Sequence, residues 1–156
     1  MYCFTVEHAP VEPAFGYRVE YKGRTVVISG DTRACENMVR QSRGADLLIH
    51  EAFNKNLVNK MLTLTTPGPG EAVNRSTRKL RNLGKKVQNY HTSPVEAAKI
   101  ASRANVKKMV FTHIDPPLGP LLPRRLVTQP FFLRGVSDVY KGEVVIAEDG
   151  MHFELE

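Results

Sequence analysis

Short apolar runs with the length and composition of buried β-strands alternate with helical segments along this chain of 156 residues. The best defined helix extends from Pro94 to about Ala104, with Ser93 as a suitable N-cap. Glu96 completes a capping box at its start. The other predicted elements are a hairpin of 15–19 and 25–29, a helix at 35–42, strands at 46–50 and 108–112, a basic helix at 71–83, and a last hairpin of 143–147 and 151–155. This alternation predicts an α/β layered domain with a mixed sheet.

Length and composition limit the class of protein further. Apolar residues make up 42% and charged residues 24% of the chain, which excludes a disordered or low-complexity protein. No apolar run approaches the roughly 18 residues that a membrane-spanning helix needs, and no signal peptide is visible. Two cysteines, Cys3 and Cys35, cannot build a disulfide framework. We therefore expect one domain over 1–156 in a reducing, cytoplasmic location, away from membranes.

Polar residues that can bind a metal or transfer a proton follow four of the apolar runs. Ligands of open α/β sheets bind beyond the carboxyl ends of the strands, so these residues are expected to meet at one edge. The residues concerned are Glu7 and His8, Asp31, His50 and Glu51, and His113, with His91 before the capped helix as a fifth position. Imidazole and carboxylate groups at one edge suit Zn²⁺ and similar divalent ions.

Each of these residues also has a purely structural interpretation. A single histidine after a strand is commonly a loop or capping residue, and His152 in the last hairpin is expected to be structural. Asp31 could cap the next helix or stabilise a turn. Glu51 could be an exposed carboxylate at a strand end. The coincidence of four such positions favours the functional interpretation.

Three motifs, in their order along the chain, carry a family resemblance. Residues 29–32 read Ser-Gly-Asp-Thr, residues 50–52 read His-Glu-Ala, and residues 112–113 read Thr-His. Together they resemble the later half of a metallo-β-lactamase-fold hydrolase, and the match is nearest to the ribonuclease Z branch. The resemblance covers about 5–114 and the final hairpin. It implies the C-terminal half of an αββα sandwich, a mixed sheet with flanking helices.

The resemblance also implies roles for individual residues. His8, Asp31 and His113 resemble ligands of two divalent metal ions, usually zinc. Glu51 and His91 resemble a pair in which the histidine assists the leaving group and the glutamate orients it. Two metals of this kind polarise a phosphodiester and generate hydroxide near neutral pH. RNA or another phosphodiester is the substrate class implied.

One motif of the family is missing from the sequence. Family members carry His-x-His-x-Asp-His in their earlier half, whereas the histidines here stand only at positions 8, 50, 91, 113 and 152. We therefore predict an incomplete ligand set and an exposed sheet face. Such a face predicts a homo-oligomer or a partner that covers it. The segment 19–28 is also too short to hold the projecting arm with which some ribonuclease Z forms bind tRNA.

Two other functions are compatible with the sequence. The chain could be a half-domain without catalysis that serves as a binding or assembly module. It could also bind nucleic acid through the six basic residues between Arg75 and Lys86, which could equally be a solvated helix face. The proline-rich segment 115–135 is predicted to be irregular. It could cover an active site, dock on a partner, or be core made irregular by proline.

Overall fold

The computed structural model of this protein describes residues 1–64, 82, 89–115 and 129–155. Its strands are β1 Tyr2–Val6, β2 Ala14–Tyr21, β3 Arg24–Ile28, β4 Leu47–Phe53, β5 Lys108–Asp115 and β6 Glu143–Ile146. Its helices are α1 Glu36–Gln41, α2 Lys55–Leu64, α3 Pro94–Arg103, α4 Gln129–Phe132 and α5 Val136–Val139. The predicted basic helix at 71–83, apart from residue 82, and residues 116–128 of the proline-rich segment lie outside the described residues. Within the described part of the chain, no helix could span a membrane.

The six strands form one mixed sheet in the order β1-β2-β3-β4-β5-β6. The pairs β1–β2 and β2–β3 are antiparallel, and the pairs from β3 to β6 are parallel. The predicted first hairpin is confirmed as β2 and β3. Lys22 and Gly23 form its turn with φ angles of 47° and 76°. Positive φ at both central residues suits the twist of a tight hairpin.

One face of the sheet is covered by α1 and α3. Val27, Leu48 and Phe111 alternate with residues of the other face and belong to the same buried core as the helices. From α3, Ala97 and Ala101 are completely buried, and their small side chains let the helix lie close to the strands. Burial of this apolar surface supplies the main stabilisation of the described fold.

The capping box of α3 is confirmed. The Ser93 hydroxyl accepts the Glu96 N–H at 3.3 Å, and the Glu96 carboxylate accepts the Ser93 N–H at 2.9 Å. Helix α2 begins in a stretch where the sequence shows weak periodicity. The side chain of Asn54 accepts the Leu57 N–H at 3.0 Å there, so the asparagine caps this helix.

The opposite face of the sheet is partly open. Phe15, Tyr17 and Tyr21 of β2 lie on it, with 39%, 42% and 69% of their surface exposed. The C-terminal residues lie across this face. Phe153 lies under the Lys108 ammonium group at 5.3 Å, and Leu155 lines a cavity beside β2 and β3.

The predicted last hairpin is therefore wrong in its second strand. The turn at Asp149-Gly150 forms, since the Met151 N–H donates to the Glu148 carbonyl at 3.1 Å. Residues 151–155 form no strand beside β6. Phe153 and Leu155 instead place their apolar side chains on the open face of the sheet.

Candidate active site

The five predicted site residues lie together at one edge of the sheet. The ring centroids of His8 and His91 are 4.9 Å apart, and those of His91 and His113 are 6.1 Å apart. His113 Nδ1 lies 2.5 Å from Asp31 Oδ1, and His91 Nδ1 lies 3.1 Å from Glu51 Oε1. Segments that are far apart in sequence therefore meet where β1, β3 and β4 end. We refer to these five residues as the polar cluster.

A β-bulge turns His113 toward the cluster. The pairing of β4 with β5 runs from Glu51 opposite Thr112 to Ala52 opposite Ile114, so His113 has no partner in the register. Its φ angle of 42° is in the left-handed region, which is uncommon for a residue other than glycine. Bulges beside functional sites commonly re-aim a side chain in this way.

Gly30 fixes the direction of the neighbouring Asp31. Its φ angle is 61°, and a Cβ atom at this position would collide with the carbonyl oxygen of Phe15. Glycine is the residue that combines this conformation with such close backbone contact. The Ser-Gly-Asp-Thr motif therefore has a steric reason for its glycine.

The Glu51 carboxylate joins three segments of the chain. The side chain is 2% exposed, and Oε1 accepts the backbone N–H of Thr32 at 3.2 Å and of Thr92 at 3.0 Å. The same oxygen contacts His91. The second oxygen, Oε2, is buried with no hydrogen-bond partner among the described residues. A buried carboxylate with two backbone donors holds the loops that carry Asp31 and His91.

Sequence reasoning missed the two threonines of this network. Both are completely buried, and the Thr92 hydroxyl donates to the Thr32 carbonyl at 2.6 Å. The Thr32 side chain also bonds to the backbone of Glu7. Each threonine directly follows a residue of the polar cluster, which is the one signal that could have identified them.

The charges around His91 favour its protonated form. Burial is the largest single influence and opposes protonation, but the hydrogen bond and charge of Glu51 and the charges of Asp31 and Asp115 together outweigh it. The pKa of His91 is consequently raised above its ordinary value. His50 differs, because burial lowers its pKa, and its side chain shares the covered face of β4 with Leu48. His50 therefore lies outside the polar cluster.

The donor atoms of the cluster fit a divalent metal. A carbonyl oxygen can only accept, so the 2.9 Å contact of His8 Nδ1 with the Tyr90 carbonyl places the proton on Nδ1. The carboxylate of Asp31 does the same for His113. With Nδ1 held in this way, Nε2 of each imidazole is the nitrogen that can offer its lone pair to a metal, which is the usual arrangement of metal-binding histidines. No group of three possible ligands among the described residues is close enough to hold an ion alone.

Comparisons with known proteins agree with the motifs and the fold. A family model described as beta-lactamase superfamily domain matches residues 2–114. Ribonuclease Z of Mycobacterium tuberculosis strain H37Rv is 35% identical over 114 residues, which are 73% of this chain and 35% of the relative. A putative ribonuclease Z of strain CDC 1551 has the same identity, with 43% of its length covered. The chain thus spans less than half of these relatives.

Two solved structures show the same fold. The metallo-beta-lactamase fold protein YhfI from Bacillus subtilis has a TM-score of 0.61 and 21% identity, over 96% of this chain and 46% of that one. The short form of human tRNase Z has a TM-score of 0.52 and 24% identity, over 99% of this chain and 42% of that one. The predicted α/β, metallo-β-lactamase-like architecture is confirmed. This chain therefore belongs to the beta-lactamase superfamily, in its metallo-β-lactamase-fold, ribonuclease Z-like branch.

Proposed function

We propose that this chain forms the C-terminal part of a metal-dependent phosphodiesterase of the ribonuclease Z type that acts on RNA. The observation that carries the proposal is the polar cluster, in which three histidines and two carboxylates from five segments meet at one sheet edge. The similarity to proteins named ribonuclease Z supports RNA as the substrate class. We also propose a cytoplasmic location, which suits the two free cysteines.

His8, Asp31 and His113 are the proposed metal ligands. Two divalent ions held there, with zinc best suited to this donor set, would polarise a phosphodiester and supply hydroxide near neutral pH. The residues of this chain prepare that site. The Tyr90 carbonyl and the Asp31 carboxylate orient the two imidazoles and keep Nε2 free. Asp31 and His113 are 41% and 57% exposed, so a polymer can reach them.

Glu51 and His91 are the proposed proton-transfer pair. The Glu51 carboxylate holds Nδ1–H of His91, which leaves Nε2–H of the protonated ring directed away from the carboxylate. In the proposed reaction this proton moves to the oxygen that leaves phosphorus. General acids of this kind contribute about 10²–10⁴-fold to the rate.

The remaining ligands are proposed to come from a second segment or chain that covers the open sheet face. The relatives are more than twice as long as the part matched here. The missing His-x-His-x-Asp-His motif belongs to the earlier half of family members. Phe15, Tyr17 and Tyr21 supply the exposed aromatic surface that such a partner would bury. A second copy of this chain is the other occupant to test, by light scattering of the purified protein.

A complementation assay tests the hydrolase function. The chain is mixed with zinc and with the N-terminal part of the Mycobacterium tuberculosis relative, and cleavage of RNA is measured. We expect cleavage in the mixture and about 100-fold less with His91→Ala, while His152→Ala, outside the cluster, is unaffected. A stable complex that cleaves nothing would contradict the proposal.

A non-catalytic binding or assembly module was the alternative. It is not favoured, because a module of that kind has no need of the buried Glu51 contact with His91 or of the bulge that turns His113 to Asp31. The six basic residues of the nucleic-acid interface predicted at 75–86 lie outside the described residues, and this interface remains a prediction.

A further inference from the structure

A cavity of about 600 Å³, lined by none of the five residues of the polar cluster, has no role in the proposed chemistry. It lies where helices α2 and α3 begin, and α4 forms another part of its wall. Its volume is within the range of about 300–1,000 Å³ that is usual for small-ligand sites. We refer to it as the α2–α3 cavity.

The charge of this cavity is positive. Lys55, Lys99 and Arg134 line it, and none of them forms an ion pair with a carboxylate of the described residues. Glu96 is the one acidic residue among the described wall residues. Its Oε2 accepts the N–H and the hydroxyl of Ser93. The described wall therefore carries three cations and one anion, and this net positive charge favours a ligand with negative charge.

Backbone donors add to this preference. The side chain of Asn54 accepts the Leu57 N–H in the first turn of α2, and that of Ser93 accepts the Glu96 N–H in the first turn of α3. The N–H groups of Asn56 and Val95 also belong to the first turns, and neither has an acceptor among the described residues. Both residues line the cavity. Free first-turn donors and the helix dipole attract anions such as phosphate, and here they act together with the three cations.

The position of the cavity links it to the reaction. The Phe53 ring stacks on His91 with centroids 5.9 Å apart, and the next residue, Asn54, belongs to the cavity wall. Thr92 is bound to Glu51, and the next residue, Ser93, belongs to the same wall. Along the chain, Ser93 is two residues from His91 and Asn54 is three residues from Glu51, so two segments join the polar cluster to the cavity wall. An RNA strand that reacts at His91 has this cavity as a binding place along its path.

We propose that the α2–α3 cavity binds the sugar-phosphate of a nucleotide next to the scissile bond of an RNA strand. This inference rests on the proposed function for the identity of the strand, but the site itself needs no metal. Lys55, Lys99 and Arg134 contact the phosphate oxygens, and the first-turn N–H groups of α2 and α3 complete the site. Positively charged grooves of this kind track a nucleic-acid backbone without reading its sequence.

Binding of the uridine trinucleotide UpUpU, measured by NMR of the ¹⁵N-labelled chain in EDTA, tests the proposal. We expect amide shifts at Asn56, Val95 and Glu96. The double variant Lys99→Gln/Arg134→Gln should bind about 10-fold more weakly, and the slope of its log–log salt dependence should be smaller by about 0.7 for each phosphate that is no longer neutralised. Both substituted side chains are at exposed positions, so the fold should be kept.

A matched control separates this site from general charge effects. Lys22→Gln/Arg43→Gln removes the same charge at the other end of the sheet, where β3 and β4 begin. Its affinity should change less than about twofold, since salt screening leaves only weak long-range attraction. Equal weakening by both double variants, or trinucleotide shifts confined to other residues, would overturn the proposal.

Two further outcomes are distinguishable. If inorganic phosphate binds the cavity as tightly as UpUpU does, the site takes free anions and the strand proposal is wrong. If UpUpU binds as expected but the complementation assay gives no cleavage, the hydrolase function fails while the cavity site stands. If the mixture cleaves RNA but UpUpU does not bind at the cavity, the hydrolase function stands and the cavity proposal is wrong.

Discussion

Replacing Glu51 with alanine tests how the polar cluster is held together. In the structure Oε1 accepts the N–H groups of Thr32 and Thr92, and both threonines are completely buried. A buried donor that loses its acceptor costs about 1–3 kcal/mol, so two such donors cost about 2–6 kcal/mol. The substitution also removes Oε2, which is buried without a partner among the described residues, and this offsets part of the loss. We expect a net destabilisation of about 2–4 kcal/mol.

The free energy of unfolding, measured by urea denaturation in EDTA, gives this magnitude. Glu51→Gln is the matched control, because its amide oxygen can still accept both N–H groups, while its NH₂ group stands at the position of Oε2 without an acceptor among the described residues. It should therefore lose some stability, but less than Glu51→Ala, which loses the acceptor of both N–H groups. If Glu51→Ala and Glu51→Gln are equally stable, the carboxylate does not hold the two loops and this reasoning is refuted.

Three other predictions concern the helix cap, acid stability and metal content. Ser93→Ala should lower the unfolding free energy by about 1 kcal/mol through loss of the capping box, and Ser137→Ala, at an exposed site, by less than about 0.5 kcal/mol. The hydrogen bond from Lys107, with that from the Thr25 N–H, holds the pKa of Asp46 below its ordinary value of 3.8. The stabilisation that this carboxylate provides is therefore present above this value and lost as the pH falls further. Asp46→Asn lacks it, so below about pH 4 its urea midpoint should fall less steeply than that of the natural protein. The purified chain should hold fewer than one tightly bound zinc per molecule by atomic absorption; a full two-metal complement would contradict the incomplete ligand set.

Local patterns in the sequence predict the described elements that depend on local physics. Strands β2 and β3 follow from alternation around a tight turn, and α3 follows from the capping box of Ser93 and Glu96. Helix α2 was harder to predict because its periodicity is weak. The cap from Asn54 was its one local signal, and a single cap contributes only about 1 kcal/mol.

Features that depend on contacts between distant segments were not predictable in the same way. The bulge at His113 exists because β5 pairs with β4, more than fifty residues earlier in the chain. The bond between Glu51 and the Thr92 N–H spans 41 residues. The second strand of the last hairpin was predicted from its alternation alone. The two alternating apolar residues lie on the open face instead, Phe153 under the Lys108 ammonium group and Leu155 beside β2 and β3.

The polar cluster and the α2–α3 cavity share one short segment of the chain. His91 belongs to the cluster, Thr92 bonds to Glu51, and Ser93 begins α3 and lines the cavity. These three residues are consecutive, so the capping box that fixes Ser93 also restricts where His91 can lie. Loosening this cap should therefore weaken both trinucleotide binding at the cavity and the His91 contact with Glu51. A binding site on an unrelated surface would not respond to loosening of this cap, so the shared segment is a physical reason to regard the cavity as part of the substrate path.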